Sequence, residues 1–309
     1  MTMVIRIGTR ASQLALAQTQ WVIDRISAHY PDITVDLVKI KTKGDKIIDR
    51  PLSDIGGKGL FIKEIEEALQ RKQIDVAVHS LKDVPAELPE DLYIGVIPER
   101  EDPYDVLISR DNIALKNLAK GSSIGTSSLR RAAQLLHCRA DLNITPLRGN
   151  LDTRLKKLNT SDIHAIVVAA AGVKRLGIGD KITQYFSPDT MLPAIGQGAL
   201  GLELRRDDEK TRDILAFLDH YPTRSAVEAE RSFLVELGGG CELPVAALAQ
   251  FDDESIHLDA LVANLDGSRI FRDDIEGPAD KAGELGTTLA STLLDAGAQQ
   301  ILDEIYGSL

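Results

Sequence analysis

The chain has 309 residues, 43% hydrophobic and 27% charged, which is length for two or three cores and the composition of an ordinary globular protein. Lys+Arg total 36 against Asp+Glu 47, and the net charge of −11 argues against a nucleic-acid partner while leaving room for a local basic surface. Cys138 and Cys241 make no disulfide framework, no apolar run is long enough for a bilayer, and no basic-then-apolar leader opens the chain, so a cytoplasmic protein without membrane contact is expected.

Residues 4–8 read as a buried strand entering Thr9-Arg10-Ala11-Ser12, and a long helix follows with Leu14, Ala17 and Trp21 on one stripe. Ser12 is its expected N-cap and Pro31 its stop. A strand over 34–40 leads into 41–58, a polar stretch rich in lysine and glycine whose length suits a lid. Helical spacing resumes over 61–69, and a short apolar strand over 75–78 ends in His79-Ser80-Leu81-Lys82-Asp83. A second round begins after 98–103, with strands over 106–109 and 123–125 and a helix opened by Thr126-Ser127-Ser128. A strand over 143–147 ends in Arg148-Gly149-Asn150 before a helix carrying Arg154, and a strand over 165–169 runs to Gly172-Val173-Lys174-Arg175. The turn-rich Leu192-Pro193-Ala194-Ile195-Gly196-Gln197-Gly198 feeds a strand over 199–204. This alternation predicts an α/β protein with two doubly wound domains and a cleft between them. After Tyr221-Pro222 come a helix to Leu237, strands over 245–251, 256–262 and 269–275, and a helix over 285–294, which predict a small C-terminal α+β domain.

Arg10, Arg130, Arg131, Arg148, Arg154 and Arg175 all fall at or just after the carboxyl end of a predicted strand, the edge where open α/β sheets take ligands. Any one of them alone reads as a solvated surface residue. Their recurrence in an acidic protein, beside the hydroxyls and helix-opening amides of Thr126, Ser127 and Ser128, favours a polyanionic ligand. Asp83 alone reads as a partner for Lys82 or a turn cap; its functional reading is a carboxylate among cations, suited to proton transfer or to stabilising positive charge. Gly238-Gly239-Gly240-Cys241 carries a thiol on a tight open turn, with Pro244 limiting the exit. A buried filler, a nucleophile and an attachment point all fit it. No dinucleotide or P-loop glycine motif is present, and the histidines show no metal-ligand spacing, so no metal is expected. His79 reads as structural as readily as functional.

Several segments together resemble the porphobilinogen deaminase (hydroxymethylbilane synthase) family, in its order and spacing across essentially the whole chain. They are Gly56-Gly57-Lys58-Gly59-Leu60-Phe61, Val78-His79-Ser80-Leu81-Lys82-Asp83-Val84-Pro85, Glu99-Arg100-Glu101-Asp102-Pro103 and Gly125-Thr126-Ser127-Ser128-Leu129-Arg130-Arg131. Leu147-Arg148-Gly149-Asn150, the 192–198 segment and Gly239-Gly240-Cys241 complete the set.

The resemblance implies two periplasmic-binding-protein-like domains, 1–99 with 200–217 and 100–199, and a third domain, 218–309, presenting the cofactor. It implies an enzyme of tetrapyrrole (haem) biosynthesis that condenses four porphobilinogen molecules head to tail, releases ammonia and yields hydroxymethylbilane. A dipyrromethane cofactor on Cys241 through a thioether is implied, as are a growing polypyrrole chain as ligand and a monomeric state. Asp83 matches the catalytic position. Ser80, Lys82, Thr126, Ser127, Ser128, Arg130, Arg131, Arg148 and Gly149 match cofactor-binding positions, and Arg10, Ser12, Arg154, Arg175 and Gln197 match substrate-binding ones. Cys138 matches no role. The alternative is a non-catalytic anion-binding protein of the periplasmic-binding-protein type.

Overall fold

A computed structural model describes residues 3–42, 62–239 and 243–307. Cys241, the Gly56–Phe61 motif and residues 43–58 of the expected lid lie outside the described residues. The chain divides into two compact units, Met1–Glu101 with Ala199–Arg224, and Asp102–Gly198 with Ser225–Leu309.

The first unit is built on β1 (Val4–Arg10), β2 (Thr34–Ile40), β3 (Val76–Ser80), β4 (Leu92–Val96) and β10 (Leu200–Arg205), with α1 (Gln13–His29) and α2 (Lys63–Gln70) among its helices. The strand order is β2-β1-β3-β10-β4. β1 runs parallel to β2 and β3, and β10 antiparallel to β3 and β4. Val76-Ala77-Val78 is a continuous apolar run because helices cover both faces of the inner strands. The Ser12 hydroxyl accepts the Ala15 N–H at 3.3 Å, starting α1 immediately after β1 and turning Val22 and Ile26 into the core with Ile5, Ile7 and Leu202.

The second unit repeats the scheme. β5 (Asp105–Ser109), β6 (Ser123–Gly125), β7 (Asn143–Thr145), β8 (Ala165–Ala169) and β9 (Gln184–Tyr185) order as β7-β6-β8-β5-β9, with β5 the antiparallel strand inside the sheet. Its helices include α3 (Leu129–Cys138), α4 (Leu151–Thr160) and α5 (Ala170–Arg175). In the first sheet the equivalent strand, β10, arrives after the chain has completed the second, and α6 (Glu209–Leu215) follows it. A meander of β11 (Val245–Asp252), β12 (Ser255–Ala263) and β13 (Ile270–Pro278) then packs on α7 (Tyr221–Glu236), α8 (Ala282–Leu293) and α9 (Gln299–Tyr306) around Phe233, Leu258, Leu289 and Ile301. The fold is thus α/β with two doubly wound sheets and a small C-terminal three-stranded sheet with helices. No helix among the described residues is long and apolar enough to cross a membrane.

β4 was not expected, because Gly95 interrupts its apolar pattern; Leu204 Cδ1 of β10 lies 2.5 Å from where a Cβ on Gly95 would stand, so glycine admits the neighbouring strand. The small C-terminal α+β element expected from the sequence is present as the β11–β13 meander with its helices, and it forms one compact unit with residues 102–198. One reason is the β12–β13 turn: Gly267 adopts φ +70°, its Cβ position lies 2.1 Å from the Ala133 carbonyl oxygen of α3, and its own oxygen accepts from His137 Nδ1 at 2.9 Å. Gly267→Ala therefore combines a left-handed backbone with a backbone clash, and should cost about 1–3 kcal/mol. A lowered urea midpoint checks this; an unchanged one would show that the turn yields.

Candidate active site

In the first unit the carboxyl edge of the sheet gathers the residues expected there. Arg10 ends β1 and is half-buried, Ser12 opens α1, and Ser80 ends β3. Lys82 and Asp83 follow in a three-residue 3-10 turn, Leu81–Asp83. The turn is held by its backbone: Leu81 N–H donates to the Ala199 oxygen and Val84 N–H to the Leu81 oxygen, both at 3.1 Å. Lys82 is half-buried and Asp83 exposed. A concavity of about 70 Å³ is lined by Arg10, Ser12, Gln18, His79, Ser80 and Asp83, with Ile62 among its apolar walls. A carboxylate thus shares a small basin with a guanidinium and two hydroxyls, an arrangement that can hold a carboxylate-bearing ring and stabilise positive charge on it.

Sequence reasoning did not single out Gln18. It is 4% exposed on α1 and its Nε2 donates to Ser80 Oγ at 2.8 Å. The available signal was a polar residue within two turns of a helix that starts at a strand end. Nor was a partner foreseen for His79, whose Nε2 lies 2.9 Å from Glu203 Oε2.

The second unit presents a comparable edge. Thr126 is buried, and its Oγ1 accepts the Ser128 N–H at 3.1 Å. Ser128 caps α3 by accepting the Arg131 N–H at 3.4 Å, and Ser127 is exposed. Arg130 and Arg131 are only 4% and 5% exposed. Arg131 Nη2 donates to Asp105 Oδ1 at 2.7 Å and Nη1 to the Val167 oxygen at 3.0 Å. Arg130 Nη1 lies 2.7 Å from Asp105 Oδ2 and donates to the Leu192 oxygen at 2.7 Å. Gln197 is fully buried, its Nε2 donating to the Pro103 oxygen at 2.7 Å and to Asp105 Oδ1 at 3.0 Å.

Asp105 pairs with Ala169 across the antiparallel β5–β8 ladder, which brings it to the carboxyl end of β8. Burial would raise its carboxyl, but the charges of Arg130 and Arg131 outweigh that and hold it well below the usual carboxylate range. Sequence reasoning matched Arg130 and Arg131 to cofactor-binding positions and Gln197 to a substrate-binding one. The structure gathers all three around an internal anion, Asp105, that the sequence reading passed over. Two guanidiniums against one carboxylate leave net positive charge under the start of α3.

Arg148 follows β7 and is half-buried. Gly149 takes φ +113°, which lets Asn150 cap α4 by accepting the Thr153 N–H at 3.0 Å. Arg154 Nε donates to the Gly149 oxygen at 2.9 Å, and Arg175 Nη2 to the Gly198 oxygen at 2.8 Å. Cys138 is free and exposed. No group of His, Cys, Asp or Glu among the described residues is arranged to hold a metal ion.

The family model "Porphobilinogen deaminase, dipyromethane cofactor binding domain" matches residues 5–213, and "Porphobilinogen deaminase, C-terminal domain" matches residues 225–295. Porphobilinogen deaminase of Geobacter metallireducens is 51% identical over 302 residues, covering 98% of this chain and 95% of that protein. The protein of the same name from Trichlorobacter lovleyi is 51% identical, with 98% and 96% covered. Among solved structures, the methionine-binding protein MetQ is similar over 72% of this chain and 94% of its own at 15% identity, with a TM-score of 0.40. The chain belongs to the porphobilinogen deaminase family.

Proposed function

We propose that this protein is the transferase that condenses four porphobilinogen molecules head to tail, releasing ammonia, to give the linear tetrapyrrole hydroxymethylbilane. We place it in the cytoplasm as a monomer, with its dipyrromethane on Cys241. The observation that carries the chemistry is the exposed Asp83 carboxylate sharing one concavity with Arg10, Ser12 and Ser80.

Each pyrrole ring brings an acetate and a propionate, so the ligand gains two negative charges with every ring. The donor set of the second unit suits the two rings of the cofactor: Ser127 and the amides opening α3, with Arg148 and the amides opening α4, are cationic or donating groups at helix starts. When bound, the dipyrromethane supplies the terminal pyrrole carbon from which the chain is extended. Thr126, Ser128 and Gly149 shape the turns that present those donors. Arg130, Arg131 and Gln197 contribute through the Asp105 cluster, as a fixed positive base beneath α3. Arg154 and Arg175 brace the Gly149 and Gly198 carbonyls and add charge for later rings.

In the first unit Arg10, Ser12 and Lys82 take the side-chain carboxylates of the incoming porphobilinogen. Its aminomethyl C–N bond breaks with the electron pair going to nitrogen, and ammonia leaves. Positive charge then spreads between the methylene carbon and the pyrrole nitrogen. Asp83 accepts the pyrrole N–H and stabilises that charge where it develops. The new carbon–carbon bond restores the aromaticity of the incoming ring and leaves a proton to be removed from the carbon that attacked it, and Asp83 is the base at hand. The anion-binding alternative accounts for the cations but leaves Asp83 and the cysteine loop without use.

Intact mass of the purified protein, with peptide mapping, tests this reading. An excess of two linked pyrrole rings mapped to Cys241, absent from Cys241→Ser, is expected together with porphobilinogen consumption by the wild type alone. A wild-type protein that lacks the excess and gains no mass on incubation with porphobilinogen would overturn it.

A further inference from the structure

The proposed reaction makes no use of His79 or Glu203, yet both are buried, their side chains 5% and 1% exposed, with Nε2 and Oε2 2.9 Å apart. Taking two ionisable groups out of water is costly, and an apolar pair of similar volume would pack a sheet at least as well. Glu203 sits where the register of β10 on β4 shifts, between Leu202 and Glu203, the kind of irregularity that re-aims a side chain. Its other oxygen, Oε1, is buried without a hydrogen-bond partner among the described residues. From α2, Glu66 feels the same group: burial raises its carboxyl, the Glu203 charge raises it further, and His79 opposes. Among the described residues, His79 is the hydrogen-bonding partner of the Glu203 side chain.

His79 occupies the position before Ser80, at the point where β3 gives way to the turn bearing Asp83, and is among the residues lining the same concavity. A single 3-10 turn does not fix itself. This one is tied through Leu81 N–H to the oxygen of Ala199, the residue before β10, and the strand that leads into it sets the His79 ring on Glu203 of β10. The ladder between them pairs Leu200 with Ser80 and Gly201 with His79.

We propose that His79 and Glu203 form a positioning pair for the reaction, clamping the end of β3 to β10 so that Ser80 Oγ and the Asp83 carboxylate keep the placement that deamination and condensation need. This rests on the reading of Asp83 as the catalytic carboxylate.

The test uses cofactor-loaded enzyme in wild-type form and as His79→Ala, His79→Gln, Glu203→Gln and Asp83→Ala. Misplacing a reacting group by a fraction of an ångström to an ångström lowers rate more than binding, so His79→Ala should lose roughly ten- to a hundredfold in kcat, with KM for porphobilinogen within about threefold of wild type. Amide hydrogen exchange of residues 81–84 should quicken in the same variant. His79→Gln retains a donor, Glu203→Gln retains an acceptor, and both should recover most of the lost kcat. Should His79→Ala fail to fold, these two carry the test: lowered thermal stability with kcat and KM falling together would overturn the positioning role. Normal kcat in His79→Ala beside an inactive Asp83→Ala would overturn the pair's role and leave Asp83 standing. An active Asp83→Ala would remove the reading on which the pair depends. A lost kcat with unchanged exchange at 81–84, or without recovery in His79→Gln, would also overturn positioning.

Discussion

Asp83→Ala should fold, keep its attached cofactor and lose about a thousandfold in kcat, in line with the roughly 10²–10⁴ that proton transfer or a preorganised charge supplies. Folding should survive because Asp83 is exposed, and its turn is closed by the backbone bonds Leu81 to Ala199 and Val84 to Leu81, neither of which involves the side chain. The rate should not survive. Breaking the aminomethyl C–N bond leaves a positive charge on the ring, and Arg10 and Lys82, which we propose take the substrate's carboxylates, would only oppose it. Asp83 is the anion lining the concavity, and removing it leaves that charge facing cations alone. Single-turnover release of ammonia, measured on protein whose mass still includes the cofactor, checks the prediction. Near-normal release would take Asp83 out of the mechanism.

What the chain discloses without its structure is whatever depends on neighbours in sequence. Arg10, Ser12, Ser80 and Ser128 were legible because strand ends and helix caps follow local rules, and those rules hold at β1–α1 and β6–α3. What stayed hidden depends on partners delivered from elsewhere. His79 looked equivocal because Glu203 is 124 positions away, on a strand that returns only after the second sheet is built. A cation at a strand end is easily read. Whether another strand places an anion against it is not, so Asp105, on antiparallel β5, passed as an ordinary strand residue although it pairs with both Arg130 and Arg131. β4 was lost for a related reason. Its ladder partner is β10, and the glycine that admits β10 breaks the pattern by which a strand is recognised.

Asp105→Asn should be the most damaging substitution in the second unit. The change keeps size and removes one charge, leaving Arg130 and Arg131 side by side at 4% and 5% exposure with no anion between them. Breaking a buried pair in this way costs about 3–5 kcal/mol, a large part of the roughly 5–15 kcal/mol that holds a typical domain folded. The pH dependence has a definite sign. The folded carboxyl is held below its ordinary value of 3.8, so on acidification the unfolded chain takes up its proton first. The stability that Asp105 contributes is therefore fully present above the unfolded value and drains away as pH falls from about 4 toward the folded value. Wild type should lose stability steeply in that range and Asp105→Asn less so, with the gap between them widest at neutral pH. Urea midpoints at pH 7 and across the acid range check this; equal slopes, or equal midpoints at pH 7, would mean that the guanidiniums find other partners. Adding Arg130→Met to Asp105→Asn removes one of the two uncompensated cations and their mutual repulsion, so part of the loss should return, beyond what the two single changes predict. The same double variant separates stability from function. Its cluster keeps the wild type's net positive charge, since one cation and one anion have both gone, so a refolded protein that still retains its cofactor poorly would locate the cluster's contribution in the Arg130–Asp105–Arg131 arrangement rather than in its net positive field.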